Sequence, residues 1–292
     1  MNGCPPELHS YICCLACTDD GFTAQSLSLT SKYFAHVTLP YLYQSICLTT
    51  PSKIQSLYHK LVTTPAHRRR IRHLFISNTS SDREIANSIN FILSFAAPTL
   101  ETLALVSPSP STSTPLIARL FRTAFPHLYE LTVSGYYPYP SSPLCFPSLE
   151  RLHLLGNRNP HGLLSLGCLE SSMPELTHLR VSGLSLAVSF SKELEEAYTN
   201  NNTDECTFSS KLPLHLQHII IERASESSSS NHKTARLKDQ FMVKNLEALE
   251  ERVCKENHQT RFTLLSRSKG DYSVDDLRAD WKGRLWGKDA CW

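Results

Sequence analysis

An apolar-x-x-apolar-x-apolar pattern returns seven times along this chain and limits the folds open to it. It reads Tyr43-Ile46-Leu48, Ile71-Leu74-Ile76, Leu100-Leu103-Leu105 and Leu128-Leu131-Val133, then Leu149-Leu152-Leu154, Leu176-Leu179-Val181 and Leu216-Ile219-Ile221. Successive starts lie 28, 29, 28, 21, 27 and 40 residues apart. Alternation at the end of each unit predicts a short strand with one face turned to a core. Between the strands, apolar residues recur at helical spacing. Ser52–Val62 carries Ile54, Leu57, Tyr58 and Leu61; Asp82–Ala97 carries Ile85, Ile89, Ile92 and Leu93; Pro115–Phe125 carries Leu116, Leu120 and Phe121. One such strand and helix cannot cover its own apolar face, so neighbouring units must stack. The expected fold class is α/β, and leucine, 42 of 292 residues, is the residue that such stacking consumes.

The intervals, apart from the last, fall in the range of leucine-rich repeats. The resemblance implies an irregular solenoid over residues 49–224, with parallel strands on the concave side and helices on the convex side. The asparagine that usually follows the strand is present at Asn157, while Thr79, Tyr136 and Leu184 stand at the matching places. No strand carries a phosphate-binding glycine loop, which argues for a solenoid over a closed α/β barrel. The long last interval holds TNNNTDECTFSS, which reads as a surface loop. SPSPSTSTP (107–115) reads as a Ser/Pro loop. Residues 225–292 differ: SESSSSNHK is a flexible break, Ala235–Glu256 a charged amphipathic helix, and Arg261–Leu265 a final strand. Trp281, Trp286 and Trp292 then close the chain. Three tryptophans there suit a cap on the last repeat; a binding platform is the other reading.

The N-terminal 48 residues form a different unit. In PPELHSYICCLAC (5–17), Pro5 and Pro6 fit a helix start and Glu7 suits the positive end of its dipole. Leu8, Ile12 and Leu15 recur at helical spacing with Cys13, Cys14 and Cys17 around them. Asp19-Asp20-Gly21 stops this helix, Thr23–Phe34 predicts a second, and Val37–Leu48 is broken at Pro40 into a kink or a turn and strand. PPELHSYI followed by SLSLTSKYF resembles the F-box, whose pattern starts Leu-Pro-x-Glu-Leu and continues with a Val-Ser-Lys-x-Phe-like second helix. Residues 4–48 are similar to the F-box segments of a large family of fungal proteins, and DDLRADWKGRLWGKDACW resembles the ends of the same family. One departure is Cys4, where the usual pattern has leucine.

The resemblance implies docking on the Skp-type adaptor of a cullin–RING ubiquitin ligase. Pro5, Pro6, Glu7, Leu8 and Ile12 would form the first contact segment, and Leu29, Ser31 and Lys32 the second. The same helices also suit a plain cap on the body of the chain, and the two roles are compatible.

Charge and composition narrow the remaining classes. With 29 Lys+Arg against 27 Asp+Glu, the chain is no global nucleic-acid clamp. No stretch of 18 apolar residues occurs, and the N-terminus lacks the shape of a signal peptide. The expected setting is soluble, cytoplasmic or nuclear, with the ten cysteines reduced and the sequons at Asn78 and Asn201 accidental. Cys14-Leu15-Ala16-Cys17 has the spacing of half a zinc site but no second half. The run from His67 to His73 is basic yet leads straight into a strand, so it reads as a solvated turn. No GxSxG, P-loop, GxGxxG or HExxH occurs, and neither catalytic residue, cofactor nor metal is expected. A hydrolase would need a pocket bringing a Ser, a His and a carboxylate together. Arg151, His153 and Arg180, between the apolar strand positions, are expected as a solvent-facing stripe able to meet an acidic target.

Overall fold

A computed structural model describes residues 5–137, 143–165, 168–200, 210–224, 233–256, 258–266, 272–288 and 292. Its centre is one parallel sheet of eight strands. They are β1 (Ser45–Leu48), β2 (His73–Ser77), β3 (Thr102–Val106), β4 (Glu130–Ser134), β5 (Arg151–Leu155), β6 (His178–Leu184), β7 (His218–Arg223) and β8 (Arg261–Leu265), paired in chain order. All seven repeated segments become strands, and β8 follows as expected.

The register explains the pattern. Ile46, Leu74, Leu103, Leu131, Leu152, Leu179, Ile219 and Phe262 stand side by side across the sheet, and Leu48 through Leu264 form a second such row. The last two apolar positions of each unit are therefore two continuous ridges on one face. Against that face lie α4 (Pro51–Thr63), α5 (Arg83–Ala96), α6 (Pro110–Leu120), α7 (Cys168–Ser172), α8 (Val188–Asn200) and α9 (Lys233–Glu256). Ile54, Leu57 and Leu61 of α4, Ile89 and Ile92 of α5, and Met242, Leu246 and Leu249 of α9 join one core with the ridges.

The sequence also sets the helix starts. Thr50 accepts a hydrogen bond from Lys53 N at 3.4 Å with Pro51 in the first turn, and Asp82 accepts from Glu84 N at 2.8 Å. α6 begins five residues earlier than the apolar spacing predicts and takes in most of the Ser/Pro stretch. Packing overrides composition there: Ser113 is buried and its Oγ accepts from Tyr136 N at 3.1 Å. Residues 225–232, read as a flexible break, and most of the long polar insertion lie outside the described residues. α9 and β8, further along the chain, join the same core and sheet as the strands before them.

The N-terminal unit comprises α1 (Pro6–Ala16), α2 (Phe22–Ser28), α3 (Lys32–Thr38) and a 3-10 turn at Leu39–Tyr41. The expected second helix is two: Ser31 interrupts it and caps α3, its hydroxyl accepting from Phe34 N at 3.2 Å. The unit's own core is small, Cys13, Cys17 and Ala24 with Leu27, Val37, Tyr41 and Leu42 around them. It is seated on the first edge of the sheet instead. Gln44 Nε2 donates to Cys14 O at 2.6 Å, Ser45 Oγ to Thr18 O at 3.0 Å, and Arg72 Nη1 to Cys14 Sγ at 3.1 Å.

The tail departs most from expectation. The final helix, α10 (Val274–Leu285), does not cap the last strand. It lies on the second face of the sheet, where Trp281 packs on Phe75 of β2 with ring centroids 5.7 Å apart. The physical reason is an apolar landing site on that face, formed by Cys47, Phe75, Ala104, Val106 and Leu155 of β1, β2, β3 and β5. No helix among the described residues is long and apolar enough to cross a membrane.

Candidate functional site: an outward apolar helix face and a covered polar sheet face

Two surfaces carry the residues singled out from the sequence. The first is α1. Its buried side is Cys13 with Cys17 just beyond, while its leucines point outward: Leu8 is 51% exposed and Ile12 57%. Tyr11 and Leu15 join them at the three- and four-residue spacings that place side chains on one helix face. The thiols of Cys13 and Cys17 pack with Ala24, Leu27, Val37, Tyr41 and Leu42, so the more apolar side of this helix is the solvent side. Phe22 and Leu29, at the two ends of α2, are also exposed, Leu29 at 84%. Pro5, Pro6, Glu7, Ser31 and Lys32 are exposed as well, so all eight residues expected to meet an adaptor are accessible. Cys4 lies outside the described residues. Tyr11, Leu15 and Phe22 were not among the expected contacts; their spacing from Leu8 was the available signal for the first two.

The neighbouring sulfur and basic clusters have structural occupations. Burial, with Cys13, Asp19 and Cys14 nearby, pushes the Cys17 thiol up to about 12, the opposite of a metal-ready thiolate. Among the described residues no group of three His, Cys, Asp or Glu is arranged to hold a metal. Within the basic run, Arg72 pairs with Glu101 at 2.6 Å and Arg69 lies 4.5 Å over the Phe95 ring. His73 is buried against Thr102 Oγ1 at 3.1 Å. His67, Arg68 and Arg70 are the exposed remainder.

The second surface is the polar face of the sheet. His153 and Arg180 sit on it, but they are buried, which corrects the expected solvent-facing stripe; Arg151 alone of the three keeps partial exposure. The covering comes from the tail. Arg180 Nη2 donates to Glu222 Oε2 and to Tyr272 OH, each at 2.9 Å, and Tyr272 OH donates to Glu222 Oε2 at 2.7 Å. Two strands from Arg180, at β4, Arg284 of α10 meets Glu130 at 2.5 Å, Thr132 Oγ1 at 3.2 Å and Asp280. Burial alone would work against the Arg284 charge, but Glu130 and Asp280 outweigh it and hold the guanidinium protonated. Burial, reinforced by Arg180 and Arg284, drives His153 well below the ordinary histidine range, so it is a neutral ring in this site.

A serine, a histidine and a carboxylate do converge here. His153 Nε2 lies 2.9 Å from Ser182 Oγ, which donates to Glu222 Oε2 at 2.9 Å. The order differs from a nucleophile relay, in which the carboxylate orients the imidazole. Glu222 instead accepts the serine hydroxyl's hydrogen bond, and Ser182 is fully buried. The trio fastens β5, β6 and β7 together beneath Tyr272.

Comparison with protein-family models, with curated proteins and with solved structures returned no match for this chain.

Proposed function

We propose that this chain is a non-catalytic substrate receptor of a Skp–cullin–F-box ubiquitin ligase. The N-terminal unit serves as an F-box, and the repeated body, read as an irregular leucine-rich-repeat solenoid, holds a target protein. The observation that carries the reading is the outward apolar face of α1, with Leu8, Tyr11, Ile12 and Leu15 turned to solvent. Several large apolar side chains gathered on one exposed helix face mark a surface made to be covered by another protein. Leu8 and Ile12 among them are positions carried over from the resemblance to the F-box pattern. Linking the two binding sites in one chain raises the target's effective concentration at the ligase, which is all the catalysis such a receptor needs to supply.

The second reading, a leucine-rich-repeat interaction scaffold that recruits no ligase, draws on Cys4 at the usual leucine position. A pull-down of the purified chain with the host's Skp-type adaptor separates the two. Wild-type capture together with loss in Leu8→Asp/Ile12→Asp, at unchanged circular dichroism, supports the receptor. Failure of the wild type to bind leaves the scaffold.

A further inference from the structure

A row of basic and titratable side chains crosses the last four strands. The register sets Arg151 of β5 beside His178 of β6, His178 beside His218 of β7, and His218 beside Arg261 of β8. Adjacent strands lie about 4.8 Å apart, so the four side chains stand as a short ladder on the second face. The same row on the first four strands, Ser45, His73, Thr102 and Glu130, is buried. On the last four it opens: Arg151, His178 and His218 are partly exposed and Arg261 is exposed.

The two imidazoles are held rather than loose. His178 Nδ1 lies 2.9 Å from Thr177 Oγ1, and His218 Nε2 lies 2.9 Å from Thr263 Oγ1. That leaves His178 Nε2 and His218 Nδ1 without a hydrogen-bond partner among the described residues, in rings whose centroids are 6.1 Å apart. The Trp292 ring, 6.2 Å from His178, provides an apolar flank. Among the described residues no carboxylate side chain stands in the row itself. Glu130 stands at its covered end, 4.0 Å from Arg151 and committed to Arg284, and Glu150 lies beside His178.

We propose that Arg151, His178, His218 and Arg261 form a docking rim for an Asp- or Glu-rich peptide segment. Four adjacent cationic or protonatable groups, with Glu130 and Glu150 only towards the Arg151 end, are complementary to closely spaced carboxylates. The rim deepens the receptor reading by naming the chemistry of the target, and it lies on the sheet, away from the adaptor helix. Burial lowers both imidazoles below the ordinary histidine range, with Arg151 adding to the effect at His178 and Arg261 and His178 at His218, while Glu150 opposes it at His178. Near neutral pH the two rings are therefore uncharged, and exposed Arg261 supplies most of the attraction, Arg151 being engaged with Glu130. Bound carboxylates favour the protonated rings, so affinity rises as pH falls.

The test uses the full chain and a fluorescein-labelled Glu-rich peptide, with its Gln-rich counterpart and a single-stranded oligonucleotide of equal charge as controls. Anisotropy is read at about pH 8 and about pH 5, the lower value set well under the ordinary histidine range because both rings are lowered. The proposal expects binding of the Glu peptide alone, tighter at the lower pH and weakened by salt. Arg261→Gln, at an exposed side chain that leaves the fold intact, should weaken it about two- to fivefold, as expected for losing one exposed ion pair. His178→Gln/His218→Gln, checked for unchanged melting, should abolish the pH dependence. Equal binding of the Gln peptide or the oligonucleotide, indifference to Arg261→Gln, or no binding at either pH would overturn it. An adaptor pull-down with Arg261→Gln keeps the two claims apart: the rim predicts it unchanged, and its failure in the wild type would remove the receptor reading without touching the peptide result.

Discussion

Lys282 Nζ lies 2.6 Å from the Asp20 carboxylate, joining the last helix to the loop between the first two. Arg278 reaches the same carboxylate at 3.3 Å, and between them in sequence Trp281 is 1% exposed against Phe75. The tail thus crosses the polar face of the sheet and ties down the N-terminal unit at Asp20, beside its seat on Gln44, Ser45 and Arg72. If that unit recruits an adaptor, its direction relative to the body is set by both ends of the chain.

Trp281 should therefore dominate the tail's stability contribution. Trp281→Ala leaves a cavity over Phe75 and should cost about 3–5 kcal/mol in denaturant unfolding. Trp281→Phe should cost less than about 1.5 kcal/mol, because the buried indole N–H has no partner to lose. Asp20→Asn removes only partly exposed ion pairs and should cost about 1 kcal/mol or less. The reverse order of the three would show that charge, not the aromatic contact, holds the tail.

The Glu130–Arg284 pair lies almost entirely out of water. Removing one partner strands a buried charge, so Glu130→Gln and Arg284→Met should each destabilise by about 3 kcal/mol, with the double variant much less than additive. Additive losses would mean the two groups do not act as a pair.

Buried histidines make the fold acid-sensitive. Desolvation lowers His73 to about 4, against an ordinary value of about 6.5. Above 6.5 both the folded and unfolded rings are neutral and stability is full. Between 6.5 and 4 only the unfolded ring takes up a proton, so stability falls as pH falls, by about 3 kcal/mol at most for this residue, and levels off below 4. Melting temperatures measured across that range should drop, and His73→Gln should flatten part of the slope. A melting temperature that rises on acidification over the same interval would contradict this assignment.

Two glycines separate crowding from backbone strain. A Cβ on Gly135, at φ +148°, would meet Ser107 O at 2.5 Å and Ser113 Cβ at 2.8 Å, so Gly135→Ala should cost about 2 kcal/mol or more. Gly183, at φ +83° where the β6 register shifts, has open space around it, and Gly183→Ala should show only the left-handed penalty of about 1 kcal/mol. Equal losses would argue against the close approach at Gly135.

Much of the architecture was legible because the repeat encodes a local rule. Two apolar positions per strand became two ridges, and the helices after β1, β2 and β3 showed their buried faces at helical spacing. What the sequence hid depends on long-range meetings. Nothing around His153 or Arg180 announces that Tyr272, some ninety residues beyond Arg180, will cover them. Trp281 carries no address for Phe75. On α1 the helical spacing of Leu8, Ile12 and Leu15 was plain, but the choice of inward side fell to Cys13 and Cys17 through the fit of α2 and α3. α6 ran into a Ser/Pro stretch because Ser113 found a buried partner at Tyr136. The open row Arg151, His178, His218 and Arg261 becomes visible only when the strand register is known.

The most direct test of the central claim is hydrogen exchange of the full chain with and without the Skp-type adaptor. The account predicts new protection in residues 6–16 and across the turn from Leu29 to Lys32, with the eight strands unchanged. Protection confined to the sheet, or none anywhere at saturating adaptor, would contradict it.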